Sequence, residues 1–353
     1  MIKVNIVYSQ MREPRFEVPW PQRDAHVVWT VREEAGADVV VHCNGYSYNR
    51  KDARSNPDAF RILYIYEPLV VFPRNFMRSF WKPFDAVMTW NEALLEQDGK
   101  FVRFPSLYYD FPFGAVHGIA GNAERPEDWH SKRKAICQVA GNKRSFIASE
   151  LYSRRRAIAR WFGRNGTLSL DTYGLPPMPV PGYRGAAKDK LETLSQYRFA
   201  LCLENDGHPI WSRGYVTEKI FDCFYAYSVP VYLGAADIER HVPADCFINL
   251  RQFDSLDALD RYLSEMPDEE YEKYLKAIEQ FLKTYNAPDK HSCFRFYDSV
   301  IELAAKGISK PEDPSVQVGF WQRATFSEKC RCLLMVLALP VYRALRGTRY
   351  AGT

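Results

Sequence analysis

The sequence predicts an α/β protein made of two doubly wound domains facing each other across a cleft. Three observations carry this. Short runs rich in β-branched and aromatic residues alternate with helical patterns, which favours a parallel sheet with helices on its faces. The alternation is interrupted by a polar segment containing Gly, Pro and Glu, and it then restarts as a second unit of similar size. The 353 residues also exceed what one core usually organises, since domains run to about 100–200 residues.

In chain order, IKVNIVYS (2–9), ADVVVHC (37–43), RILYIYE (61–67) and DAVMTW (85–90) read as strands. GNAERPEDWHSK (121–132) reads as the linker. The second half then presents strand KAICQVAG (134–141), a basic helical run SELYSRRRAIARWF (149–162), strands LSLDTYG (168–174) and RFALCLEN (198–205), a helix from Glu218 to about Tyr227, and strands VPVYLG (229–234) and CFINL (246–250). KDKLETLSQ (188–196) has the composition of a polar helix. Residues 258–304 carry Leu259, Leu263, Tyr271, Leu275, Ile278 and Phe281 at helical spacing. The expected organisation is a first domain over 1–125, a second over 133–305 and a tail over 306–353. No repeat of solenoid period is visible.

Composition excludes several classes. With 46% hydrophobic and 25% charged residues the chain is not disordered, and 47 basic against 43 acidic residues do not argue for a nucleic-acid partner. The eight cysteines form no CxxC pair and no zinc-type spacing, which fits a reduced compartment. MIKVNIVYSQ lacks the apolar core of a signal peptide, and no run reaches the ~18–20 apolar residues of a membrane span. In the tail, the apolar stretch Leu333 to Tyr342 lies between Lys329 and Arg331 on one side and Arg343, Arg346 and Arg349 on the other. That pattern suits a helix lying on an anionic membrane surface, and equally a terminal helix packed on its own domain.

The stretch RGYVTEKIFDCFYAYSVPVYLG (213–234) bears the chemistry. Thr217 has the character of an N-cap, and Ile220, Phe221, Phe224 and Tyr225 form an apolar face for the sheet. Lys219 in the first turn opposes the helix dipole. It is either a solvated side chain or the counter-charge to a phosphate bound at the helix N-terminus, where nucleotides dock in open α/β sheets.

The longer segment YRFALCLENDGHPIWSRGYVTEKIFDCFYAYSVPVYLG (197–234) resembles the donor-binding signature of the alpha-1,3/4-fucosyltransferases, glycosyltransferase family ten: a strand ending in E-N, a variable loop, Y-[VI]-T-E-K, a helix and a V-P-V-x-x-G strand. LYIYEP, FDAVMTWNE and VRFPSLYY are similar to acceptor-domain segments of that family, so the likeness covers most of 60–260. The resemblance implies a GT-B architecture of two Rossmann-like domains, GDP-fucose as donor and inverting transfer to a glycan hydroxyl, such as O3 of N-acetylglucosamine in a lipopolysaccharide. It places Asn205, Tyr215, Thr217, Glu218 and Lys219 at the donor site, with Lys219 on the diphosphate and Asn205 and Glu218 on ribose or fucose hydroxyls.

A second phosphate arginine of the family falls in SRRRAIARWF. Arg154 is favoured there, with Arg155 and Arg156 as alternatives because the family's aromatic pair is lacking. Glu67, at the end of RILYIYE, matches the general base; without the resemblance it reads as an exposed glutamate at a strand end. His208 and Trp211, in the variable loop, are expected near the donor, and most of Trp81, Trp90, Tyr108 and Tyr109 in the core. No D-x-D carboxylate pair of the kind that holds a divalent ion on a nucleotide diphosphate is present, so no cofactor and no metal site are expected, with stimulation by Mn2+ left open; the lack of the N-terminal anchor of the animal enzymes points to a bacterial, cytosol-facing enzyme, peripheral on the inner membrane. A same-fold glycosyltransferase using another nucleotide sugar, or a non-catalytic glycan-binding protein, are the alternatives.

Overall fold

The computed structural model describes residues 2–8, 27–31, 36–44, 56–97, 99–105, 126–285 and 293–306. The chain divides into two compact units. The first comprises Met1–Val116, Ser145–Ala148 and Asp289–Thr353, and the second His117–Arg144 and Ser149–Pro288.

The first unit holds six strands: β1 (Ile2–Tyr8), β2 (Val27–Val31), β3 (Val39–Cys43), β4 (Phe60–Ile65), β5 (Ala86–Thr89) and β6 (Phe101–Arg103). They pair in the order β2-β1-β3-β4-β5-β6, every pair parallel. Two short helices, α1 (Arg78–Trp81) and α2 (Glu92–Leu95), lie in the connections, and Asn91 caps α2 by accepting from Leu94 N.

The second unit has five strands: β7 (Arg133–Val139), β8 (Leu170–Tyr173), β9 (Tyr197–Leu203), β10 (Val229–Leu233) and β11 (Ile248–Asn249). Their order is β11-β10-β9-β7-β8, again all parallel. Its helices are α3 (Tyr152–Asn165), α4 (Lys190–Ser195), α5 (Glu218–Tyr225), α6 (Leu256–Glu265) and α7 (Asp268–Thr284). β9 is buried along its whole length, as a central parallel strand covered on both faces should be.

Both sheets are wound the same way. In each, the second strand lies on one side of the first and the third on the other, which creates a switch point between β1 and β3 and between β7 and β9. Ligands of open parallel sheets bind beyond the carboxyl ends of the strands at such a point.

The expected second domain, 133–305, departs from the second unit in two places, since Ser145–Ala148 and the chain from Asp289 onward belong to the first unit. The sequence pattern places residues up to 305 in the second domain, whereas the last described helix, α8 (Cys293–Lys306), packs on the first sheet. Phe296, Tyr297, Val300 and Leu303 of α8 join Val4, Ile6, Val39, Val41, Ile62, Tyr64 and Met88 in one core. At about 1.5–3 kcal/mol for each large apolar side chain buried, this docking is a substantial part of the first unit's stability. Helical periodicity announces α8 but does not say which sheet it covers.

Two strands, β2 and β6, were not anticipated. The tail 326–350, Tyr108, Tyr109, Cys330 and Cys332 lie outside the described residues. Trp81 and Trp90 are buried as expected, and so are Cys43, Cys137, Cys202, Cys223 and Cys246. Among the described residues no helix is long and apolar enough to cross a membrane.

Candidate active site

In the second unit the predicted residues converge at the carboxyl end of β9. The next residue, Glu204, is wholly buried. Its Oε1 accepts from Thr217 N at 2.8 Å, its carboxylate accepts from Thr217 Oγ1 at 2.7 and 2.8 Å, and Oε2 accepts from Lys219 Nζ at 3.0 Å. Lys219 Nζ also donates to Thr217 Oγ1 at 2.7 Å and lies 3.5 Å from Glu218 Oε1. Burial opposes the charge on Lys219, but the Glu204 and Glu218 carboxylates more than offset it and raise its pKa above the usual lysine range. Burial likewise opposes ionisation of Glu218, and Lys219 and Lys190 outweigh it, holding that carboxyl below the usual range.

Thr217 occupies the N-cap position of α5 with extended backbone, as expected, but its side chain does not cap the helix. Its O–H donates to the Glu204 carboxylate and its oxygen accepts from Lys219 Nζ, a charged donor that takes the place of a turn N–H.

Asn205 links two neighbours: its Oδ1 accepts from Arg155 Nη2 at 3.1 Å, and its Nδ2 donates to the buried Tyr215 hydroxyl at 3.2 Å. Arg155 Nη2 also donates to the carbonyls of Leu203 and Glu204 at 2.6 and 2.8 Å, so this arginine fixes the chain as it leaves β9. The three candidate arginines are thus separated. Arg154 is exposed, Arg155 is a buried anchor, and Arg156 donates to Asn142 Oδ1 and Lys143 O in the loop that follows β7. An arginine followed by two aromatics does occur, Arg160-Trp161-Phe162, but two turns into α3 and exposed.

Trp211 is buried, and His208 Nδ1 accepts from Ile210 N and Trp211 N. Sequence reasoning gave Glu204 no role. Its signal was a carboxylate ending an otherwise apolar strand, followed fifteen residues later by Lys219.

Gly234, at the end of β10, makes room for this cluster. A Cβ there would lie 2.4 Å from Glu204 Cγ and 2.6 Å from the Tyr232 hydroxyl. Gly234→Ala is expected to destabilise the protein by about 1–3 kcal/mol through overpacking, read as a lower midpoint in urea unfolding.

In the first unit, Glu67 lies two residues past the end of β4, half-buried. Its backbone is pinned by Asn44, which sits just past β3 with φ of 53°. The buried Asn44 Oδ1 accepts from Tyr66 N at 3.3 Å, Glu67 N at 3.2 Å and Asn75 Nδ2 at 2.8 Å. Trp90 Nε1 holds the same turn through Tyr66 O at 3.0 Å. Asparagine suits the left-handed backbone here, and its amide reaches across to the neighbouring strand's carboxyl end. Glu67 thus leaves a clamped turn at the carboxyl edge of its sheet.

Residues 129–297, which contain every donor-site candidate, match the family model described as glycosyltransferase family 10 (fucosyltransferase) C-term. This region is a glycosyltransferase family 10 domain. The chain is 40% identical over 111 residues to the human 3-galactosyl-N-acetylglucosaminide 4-alpha-L-fucosyltransferase FUT3, covering 31% of this chain and 28% of that one. It is 30% identical over 188 residues to the mouse 4-galactosyl-N-acetylglucosaminide 3-alpha-L-fucosyltransferase 9, covering 52% and 45%. The matched stretch thus spans less than half the length of either relative. Among solved structures, an alpha1,3-fucosyltransferase with GDP superposes with a TM-score of 0.56 at 16% identity, over 89% of this chain and 92% of that chain. A T4 phage BGT in complex with UDP and Mn2+ superposes at 0.51 with 11% identity, over 85% and 99%. The shared fold is GT-B, two α/β units each with a parallel sheet, as the sequence predicts.

Proposed function

We propose that this family 10 protein is an inverting fucosyltransferase that moves L-fucose from GDP-fucose to a hydroxyl of a glycan acceptor. The observation that carries the reading is Lys219: a cation held at the N-terminus of α5, beside the β7/β9 switch point, by two short bonds to Glu204 and Thr217, with only the longer Glu218 pairing at 3.5 Å on its remaining N–H. In this reading Lys219 and the α5 N-terminus bind the diphosphate, while Asn205 and Glu218 address sugar hydroxyls. Of the arginines, Arg154 remains the favoured second phosphate contact with Arg156 as the alternative, while Arg155 is engaged as the anchor of the turn after β9.

The acceptor oxygen attacks the fucose anomeric carbon as Glu67 takes the hydroxyl proton. The bond from that carbon to the β-phosphate oxygen breaks, and its electron pair leaves with GDP. Lys219 meets the charge that develops there, a part taken by a divalent ion in other glycosyltransferases. Manganese then has at most a stimulating role. The acceptor proposed is O3 of N-acetylglucosamine in a lipopolysaccharide-type glycan, reached by a cytoplasmic enzyme peripheral on the inner membrane.

Calorimetric titration with GDP, UDP and ADP tests the donor, followed by GDP release from GDP-fucose with N-acetyllactosamine present. Selective GDP binding with acceptor-stimulated release is the expected result. Preference for UDP or ADP would overturn the donor assignment. GDP binding without release would count against the sugar or the acceptor, and release of GDP from another GDP-sugar would favour a same-fold enzyme of different donor.

A further inference from the structure

We propose that Glu204 is a positioning residue for donor binding: with Thr217 it holds the Lys219 ammonium so that one N–H is aimed at the donor diphosphate. The inference rests on the reading of Lys219 given above. An ammonium has three N–H donors. One goes to Glu204 Oε2 at 3.0 Å and one to Thr217 Oγ1 at 2.7 Å; the third has no short hydrogen bond among the described residues, only the partly exposed Glu218 Oε1 at 3.5 Å. The two inward bonds define the direction of the third.

The support behind Lys219 is rigid. Glu204 is fully buried, and both its oxygens are engaged by Thr217 and Lys219. Its main-chain carbonyl is gripped by Arg155, and its side chain lies against the bare Cα of Gly234. A lysine on a surface helix samples many rotamers and loses them on binding. Lys219 is ordered before any ligand arrives, so that loss is not charged to the donor.

A carboxylate at this place looks counterproductive, because it partly neutralises the cation offered to an anion. Its location resolves the objection. Glu204 lies behind Lys219 with no exposure, so its charge is compensated in place. The Lys219 side chain keeps 22% of its surface open. The carboxylate fixes the lysine's charge state and direction without itself facing solvent.

A double-mutant cycle on the full chain, read by calorimetric GDP affinity, tests the proposal. Glu204→Gln is expected to weaken GDP binding about tenfold in the wild-type background and to cost nothing further in the Lys219→Ala background. A comparable loss in both backgrounds would overturn it, because Glu204 would then act on the fold and not through Lys219. Thr217→Val, which keeps the β-branched shape and removes the bridging hydroxyl, should show the same dependence on Lys219, and it decides the question if Glu204→Gln does not fold. If Lys219→Ala by itself leaves GDP affinity unchanged, the reading of Lys219 as the diphosphate ligand fails. An effect of Lys219→Ala with additive Glu204→Gln leaves that reading standing and refutes only the positioning role.

Discussion

Lys219→Ala should weaken GDP binding by roughly 10–100-fold, because a charge-assisted hydrogen bond to phosphate contributes about 1.5–3 kcal/mol and each 1.4 kcal/mol is a factor of ten. The same substitution strips Glu204 of its cation. Leaving one member of a buried ion pair alone costs about 3–5 kcal/mol of stability, so the variant should also unfold at lower urea. The two effects have different origins and can be separated. Lys219→Ala combined with Glu204→Gln removes the stranded charge and should regain much of the stability, while GDP affinity stays low. Recovery of both together would mean that the lost affinity reflected damage to the fold. Recovery of neither would mean that Lys219 contributes through something other than its charge. Urea titration and calorimetry on the same samples supply both readings.

The elements of the two sheets that were legible in the sequence share one property: they are short, strongly β-branched or aromatic and bounded by turn residues, as in Val39–Cys43 and Val229–Leu233. β6 escaped because three residues, FVR, are too few for a period to show. The helix over 293–306 was legible as a helix, but its apolar stripe of Phe296, Val300 and Leu303 would suit either sheet. Only the tertiary structure says that the chain returns to its first unit.

At the site, the family resemblance placed Lys219, Thr217, Asn205 and Tyr215 together, and the structure ties Thr217 and Lys219 to Glu204 and Tyr215 to the adjacent Asn205. Burial was the hidden quantity. A glutamate after an apolar strand reads as a solvated strand end, and nothing in the letters says that it has no exposure at all. Arg155 was hidden for the same reason. In a run of three arginines, which one faces the sheet depends on the phase of α3, and the phase follows from Ile158, Ala159 and Phe162, which turn inward with Arg155. Asn44 was hidden by distance, since its three acceptor bonds reach residues 22 to 31 positions away.

Glu67→Gln should leave GDP affinity within about twofold of wild type and lower turnover by roughly 10²–10⁴, the usual contribution of a general base. The substitution is well suited to the question, because the turn holding residue 67 is built from backbone. Asn44 accepts from the main-chain N–H of residue 67, and Trp90 donates to the carbonyl of residue 66. Glutamine retains both bonds and nearly the same volume, so the loss of turnover can be assigned to the loss of a proton acceptor and not to displacement. Asn44→Ala provides the contrast. It keeps the carboxylate but removes the clamp on its backbone, leaving three donors without their acceptor, so it should lower both stability and turnover. Steady-state release of GDP with saturating donor and acceptor, measured beside urea unfolding, separates the two variants. Full turnover in Glu67→Gln would remove Glu67 from the chemistry and leave it as the strand-end glutamate that its sequence context alone describes.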